Sequence, residues 1–431
     1  MLSRQLSTTQ QMTMALGGAI GTGLFLASGL SVNVAGPAII LSYVIVAAIS
    51  LLLGRALTDM AVAHPTAGSF GVWAEIYVSP FAGYAVRVSY LLMEVIATGG
   101  QLVAASIYMA YWFPGVPGAV WVLAFALVLL YANSRAVGQL GAIESWLVLI
   151  KIAAVAVFAA VAVLVLSGLT GEPAIGLRHV TSHGGFMPFG MTGIWLGTCF
   201  VIYSFIGVEI VGVTSGEATD PARTIPAAMR RMVLTLSAIY VVTITLLVAL
   251  TPWNELGAGE SPFVSVLARL GIPGAAGLMN FVVLSAALSS ANANLYLIAR
   301  TIFSLARAGF VPPRLGAVSR RGAPINALLV AAAGLGAAVL IRALWPDSAY
   351  VWFFGVALFG ALFVWLMIFV THIAFRAPGV PLTSWVGALL VGGILVSTWW
   401  VPGLKSTLIA GGPWLALLAV GYRISPKGAA S

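Results

Sequence analysis

Charge is what this 431-residue chain has least of: Asp, Glu, Lys and Arg together make up 7% of it, against 61% hydrophobic residues. With a mean hydropathy of +1.06, that shortage excludes a soluble globular domain and leaves a polytopic membrane protein. Cysteine is nearly absent as well. Cys199 is the single one, which excludes an intramolecular disulfide and any zinc site of cysteine type. Histidine is sparse, and only His179 and His183 have helical i,i+4 spacing. The intervening Val180-Thr181-Ser182 and the following Gly184-Gly185 read as loop, so neither a metal centre nor a cofactor site is expected. An integral-membrane enzyme would need a nucleophile, a metal cluster or paired carboxylates converging on one cavity, and no spacing of that kind is present. The net charge of +9 comes from basic residues scattered through the junctions between apolar runs, a pattern unlike a nucleic-acid surface. The leader Met1 to Gln11 carries one cation, Arg4. The run after it is long enough to span, so no cleavable signal peptide is expected.

What the chain has in abundance is apolar runs of about 17 to 25 residues, and they give about twelve spans. These are Met12–Val34, Pro37–Ala61, Phe81–Phe113, Gly118–Ala132, Glu144–Ser167, Gly190–Ser215, Ala228–Leu250, Ile272–Leu305, Pro324–Leu344, Tyr350–Phe375, Leu382–Trp400 and Leu404–Tyr422. Placing the N-terminus inside collects Arg135, Arg223, Arg230, Arg231, Arg307, Arg314, Arg320, Arg321, Arg376, Arg423 and Lys427 on one side, against Arg178, Arg269, Arg342 and Lys405 on the other. This positive-inside asymmetry implies a multi-pass protein of the inner (cytoplasmic) membrane with both termini cytoplasmic. Trp112, Trp121, Trp195, Trp253, Trp345 and Trp399 fall near span ends, where an amphipathic ring suits the headgroup region. His64 to Phe70 is punctuated by Gly and Pro, then mildly amphipathic to Tyr77, and reads as a short re-entrant or interfacial helix.

Two stretches break the apolar rule. Gly17 to Phe25, GGAIGTGLF, packs glycines into one or two turns of the first span. A bilayer helix bears that cost where irregular backbone is wanted, or where glycines let helices pack closely as a small-xxx-small pair, here Gly17 and Gly21. As an unwound joint at Gly21-Thr22-Gly23, it would end one half-helix in free carbonyls and begin another with free N–H groups. Carbonyls suit an ammonium and N–H groups a carboxylate, which together describe an α-amino acid. The second stretch, Tyr203-Ser204-Phe205-Ile206-Gly207-Val208-Glu209, lies five spans later in the sixth. Paired breaks at matching positions of two five-span halves point to an inverted-repeat transporter. The halves would be residues 12–170 and 190–375 of a single membrane domain, with two further helices over 382–422.

The residues GGAIGTGLFLASG from Gly17, AGP from Ala35, PTAGSF from Pro65, Lys151, YSFIGVE from Tyr203 and GEATDPARTIP from Gly216 resemble the amino acid permeases of the amino acid/polyamine/organocation superfamily, in its bacterial amino acid transporter branch. The resemblance runs over most of the chain. It implies an all-α integral membrane fold, a 5+5 inverted repeat with discontinuous helices 1 and 6, and secondary uptake of α-amino acids, often with a proton. It further implies that Gly21, Thr22 and Gly23 bind the carboxylate, and that carbonyls near Ala19 and in Tyr203, Ser204, Phe205 and Ile206 hold the ammonium. Tyr203 resembles an aromatic gate. Lys151 is similar to the lysine that stands where sodium-coupled relatives hold an ion. Gln101 occupies a position that is acidic in many members, which weakens the case for a cationic substrate. By the same alignment Asn294, rather than Asn292, lines the pocket; the two are offset by about 200° of helix.

Ionisable groups inside apolar spans cost about 2.5 to 3.5 kcal/mol each at a helix centre, so each needs a partner or a purpose. Lys151 is either the carrier of a coupled proton, bonding the carbonyl end of the first half-helix when protonated, or a snorkelling or permanently charged strut. Glu209 either exchanges protons with the substrate region or caps the second half-helix. Arg87 and Arg300 read as helix-end residues, and Glu94 has no assignable role. The leading expectation is proton-coupled uptake by alternating access. An amino acid exchanger is the close alternative, and an enzyme or a channel is remote, because no ring of charges or filter-like carbonyl repeat is evident.

Overall fold

The computed structural model describes residues 15–66, 68–135, 140–170, 173–213, 215, 220–257, 259–317, 319, 324–376, 379 and 381–427, with the side chains of 135 and 140–145 left aside. The leader, residues 136–139 and Gly216 to Thr219 of the GEATDPARTIP motif lie outside the described residues.

Among the described residues the architecture is helix only. The first span is three pieces: residues 15–19 (α1), Thr22–Phe25 (α2) and Ala27–Ala35 (α3). Then come Ile39–Ala63 (α4), Ser69–Tyr77 (α5), Pro80–Ala110 (α6), Gly118–Arg135 (α7) and Leu140–Leu166 (α8). A single turn, Arg178–Thr181 (α9), precedes Gly190–Ser204 (α10) and Ile210–Val213 (α11). The remainder is Pro221–Leu250 (α12), Pro262–Arg269 (α13), Ala275–Arg307 (α14), Ile325–Leu344 (α15), Ala349–Arg376 (α16), Leu382–Ser397 (α17) and Lys405–Ile424 (α18).

Nine helices among the described residues are long and apolar enough to cross a membrane, and Ala15–Phe25, Gly118–Ser134 and Gly190–Ser204 are shorter apolar helices. In α6 and in α16, 72% of the apolar window is buried, whereas α17 and α18 bury only 28% and 22%. The first pair therefore forms the centre and the second the rim. Rim side chains such as Leu382, Leu389 and Ile424 stand open, a pattern that is costly in water and favourable against lipid.

Local chemistry sets the helix starts. Ser79 is extended, its Oγ accepts the Ala82 N–H at 3.1 Å, and Pro80 stands in the first turn of α6, where a missing N–H costs nothing. The seventh span opens earlier than expected. Pro221, ahead of the expected Ala228, begins α12, because the Asp220 carbonyl already accepts the N–H groups of Arg223 and Thr224 at 3.2 and 2.8 Å. The amphipathic helix α13, led by Pro262, was not anticipated. The short helix expected before Tyr77 is α5. Of the tryptophans, Trp112, Trp345 and Trp399 are open at helix ends, while Trp195 donates to Ser397 Oγ at 2.8 Å and Trp253 to the His183 carbonyl at 3.2 Å.

The two breaks cross. A Cβ added to Gly23 would come within 2.8 Å of Ser204 Cα, and one added to Gly207 within 3.0 Å of the Ala19 nitrogen. Gly207 also has φ +111°, a conformation that only glycine adopts without strain.

Candidate functional site

At the first break the backbone bonds run out of helical register. The Gly21 N–H reaches back only to the Ala19 carbonyl (3.0 Å), and the ladder restarts when Phe25 and Leu26 bond to the carbonyls of Gly21 and Thr22 at 3.2 and 2.9 Å. At the second, α10 stops at Ser204, and single-turn bonds carry the chain through Phe205, Ile206 and Val208 to Ile210. Between the breaks and the inner faces of α6 and α14 is a small cavity, partly open.

Of the residues expected at a binding site, Ala19, Gly21, Gly23, Gln101, Tyr203, Ile206 and Asn294 line this cavity. Thr22 stands behind it, with its N–H directed at Gln101 Oε1 over 3.4 Å. Ser204 and Phe205 do not line it. Phe205 is turned to the opposite side, edge-on to Tyr240 with centroids 5.2 Å apart and tilted against Tyr43 at 6.4 Å. The short turn after Ser204 rotates that ring out of the face that Tyr203 and Ile206 share. Asn292 points elsewhere, accepting from Asn133 Nδ2 at 2.9 Å.

Lys151 is fully buried, and its Nζ donates to the Gly17 carbonyl at 2.8 Å. It does not snorkel to the surface. Ser290 Oγ adds contacts to the carbonyls of Gly17 and Ile20 at 3.3 and 3.4 Å, so α8 and α14 both hold the carbonyl end of α1. Glu209 is buried just past the second break. Both its oxygens accept the Gly207 N–H at 3.1 Å, and one also accepts Trp365 Nε1 at 3.3 Å. Its carboxylate closes on the break itself rather than on the first turn of α11.

Sequence reasoning missed Tyr240. Its buried hydroxyl lies 2.9 Å from the Ala19 carbonyl and 2.8 Å from that of Ser204, so one O–H proton is shared between the two breaks. Two of the carbonyls expected to hold an ammonium are thus already engaged, and a ligand there must use their second lone pairs. Glu94, without a role in the sequence, is buried in the cavity wall. Arg87 has an ordinary partner: it is buried against Glu75 Oε2 at 2.8 Å and Ser304 Oγ at 3.1 Å.

Aromatic rings stand above and below the cavity. Toward the start of α16, Tyr203 packs on Phe354 with centroids 4.2 Å apart, and the Tyr350 hydroxyl donates to the Thr22 carbonyl at 3.3 Å. Toward α5, Phe70 meets Tyr90 edge-on at 5.0 Å.

Broken helices that cross beside a small buried cavity are a transporter arrangement. The model of the amino acid permease family matches residues 10–425. This chain belongs to the amino acid permease family. Among its relatives are the amino acid permease YtnA of Bacillus subtilis, 34% identical over 98% of this chain and 95% of the relative, and the aromatic amino acid transport protein AroP of Escherichia coli K12, 34% identical over 99% and 96%. The probable threonine/serine transporter YbxG of Bacillus subtilis is 30% identical over 98% and 95%. As a permease, the chain is a multi-pass membrane protein whose relatives are named as transporters.

Proposed function

We propose that this permease is a secondary active transporter that binds an α-amino acid where the two breaks cross and carries it by alternating access, with a proton coupled through Lys151. The observation that carries the reading is the cavity shared by both breaks, with Ala19, Gly21 and Gly23 on one side and Tyr203, Ile206 and Gly207 on the other. Glycine at 21 and 23 lets a carboxylate approach the main chain, and the N–H groups that open α2 give it hydrogen bonds without a charged side chain. Carbonyls at the end of α1 and in the turn after α10 receive the ammonium. We assign about twelve spans in a 5+5 inverted repeat over 12–170 and 190–375, with cytoplasmic termini in the inner membrane. The paired breaks and the positive-inside asymmetry support this.

In this scheme the protonated Lys151 ammonium bonds the Gly17 carbonyl and holds α1 against α8. Loss of its proton removes a charge and a donor from that contact, which frees α1 to move. The ring pairs Tyr203–Phe354 and Phe70–Tyr90 are placed to close the two ends in turn.

Substitution of Gly21 by Leu tests the head-group site. An added Cβ already meets Ser290 Oγ at 2.6 Å and Gln101 Nε2 at 3.2 Å, so a leucine fills the space a carboxylate would take. Amino acid binding should vanish while the protein stays folded; wild-type affinity would make this glycine a packing residue only. An exchanger trading one amino acid for another is the second reading. There Lys151 keeps its charge throughout, and Lys151→Ala separates the two through pH-driven accumulation.

A further inference from the structure

Gln101 meets the first break, and Glu94 lies seven residues earlier on α6, about 10 Å along the helix. On α14, Ser290 touches the same break and Asn294 follows one turn further on, about 6 Å away. The two helices therefore bring Glu94 and Asn294 together on the cavity wall, beyond the place where the head group would sit. With its amide oriented to satisfy the local hydrogen bonds, Asn294 donates to Glu94 Oε2 at 3.2 Å and to the Ser290 carbonyl at 3.0 Å. Both its N–H bonds are then used, and only the Oδ1 acceptor is left.

The Glu94 carboxylate has acceptor capacity to spare. It forms no ion pair among the described residues. Beside it stands the buried hydroxyl of Tyr90. A buried acceptor left unmatched is costly, and a negatively charged one more so. Around this polar pair the wall is hydrocarbon: Met93, Ala97, Ile210 and Leu297.

We propose that Glu94 and Asn294 form a side-chain subsite that selects long α-amino acids ending in an N–H or O–H donor over their hydrocarbon counterparts. The proposal rests on the reading that the head group binds at the breaks. The side chain then runs between the apolar residues and ends on the acceptor pair. Serine and threonine place their hydroxyls too near the head group to reach it.

The test uses the purified full-length protein in lipid nanodiscs and measures dissociation constants for two matched pairs, tyrosine with phenylalanine and lysine with norleucine, and for alanine. A hydrogen bond to a charged group gives about tenfold or more, so the donor-bearing member of at least one pair should bind tighter by that factor. The tyrosine pair reports a neutral donor and the lysine pair a cation. Glu94→Gln, nearly isosteric, should shrink the preference by about tenfold. Ratios within twofold of unity for both pairs, or ratios that survive Glu94→Gln, overturn the subsite while leaving the head-group site standing. Failure of every compound, alanine included, to bind overturns the head-group site and the subsite with it.

Discussion

Replacing Gly23 by alanine tests whether the two breaks really touch. The added methyl would sit 2.8 Å from Ser204 Cα, 3.1 Å from Ser204 Oγ and 3.2 Å from the Ser204 nitrogen. Two of those three atoms are main chain, so no rotamer change relieves the overlap and the breaks must separate by a few tenths of an ångström or more. Overpacking of this kind costs about 1–3 kcal/mol. Gly336 in α15 provides the control, because its added Cβ meets nothing within 4 Å. There the same substitution adds only helix propensity, about 1 kcal/mol in favour of the fold. The assay is thermal unfolding of both variants in one detergent, followed by repeat melts with saturating substrate. Gly23→Ala should melt a few degrees below wild type and lose substrate protection, while Gly336→Ala should melt at or above it. Equal melting of Gly23→Ala and wild type, with protection intact, would refute the crossing.

Three further outcomes follow from the contacts. Tyr240→Phe removes the hydroxyl shared by the carbonyls of Ala19 and Ser204. A buried acceptor left without its donor costs about 1–3 kcal/mol, so both melting temperature and substrate affinity should fall; an unchanged affinity would separate the tie from the site. Lys151→Ala should abolish accumulation driven by a pH gradient while sparing some exchange, and unchanged accumulation would remove this lysine from coupling. Glu75, on α5 outside the spans, is partly buried, which alone would raise its pKa, but Lys427 and Arg87 outweigh this and hold it below the usual value. A depressed carboxyl stabilises the fold above its unfolded pKa, about 4.3, and loses that contribution as pH falls through the folded value. Glu75→Gln should therefore melt lower than wild type at pH 7, and the gap should close below about pH 4.

The breaks were legible because glycine clusters have few uses inside a bilayer span, and because two of them recur at matching positions. Helical periodicity let at most one of Asn292 and Asn294 face the pocket, and the family resemblance chose Asn294. The ionisable residues stood out for the same reason as the glycines, since apolar spans make every charge conspicuous, and Lys151 does meet the carbonyl end of the first half-helix. What the sequence hid were pairings between distant spans. Tyr240 looks like any other aromatic residue in an apolar run, and only the crossing places its hydroxyl between two carbonyls. Glu94 was visible but had no role, because its partner Asn294 lies on α14. The facing of Phe205 depended on how far the chain turns after Ser204, and periodicity does not survive a break. The early start of α12 at Pro221, ahead of the expected Ala228, comes from two main-chain bonds to the Asp220 carbonyl, which composition cannot rank.

The central claim is that the crossing of two broken helices binds an α-amino acid and that its transport is coupled to a proton. Uptake of labelled amino acids from a mixed panel into liposomes holding the purified protein, with and without an inward proton gradient, tests it most directly. The account predicts accumulation that collapses when the gradient is dissipated and that disappears with Gly21→Leu. Counterflow without gradient-driven accumulation would contradict the coupling, and transport undiminished in Gly21→Leu would contradict the site.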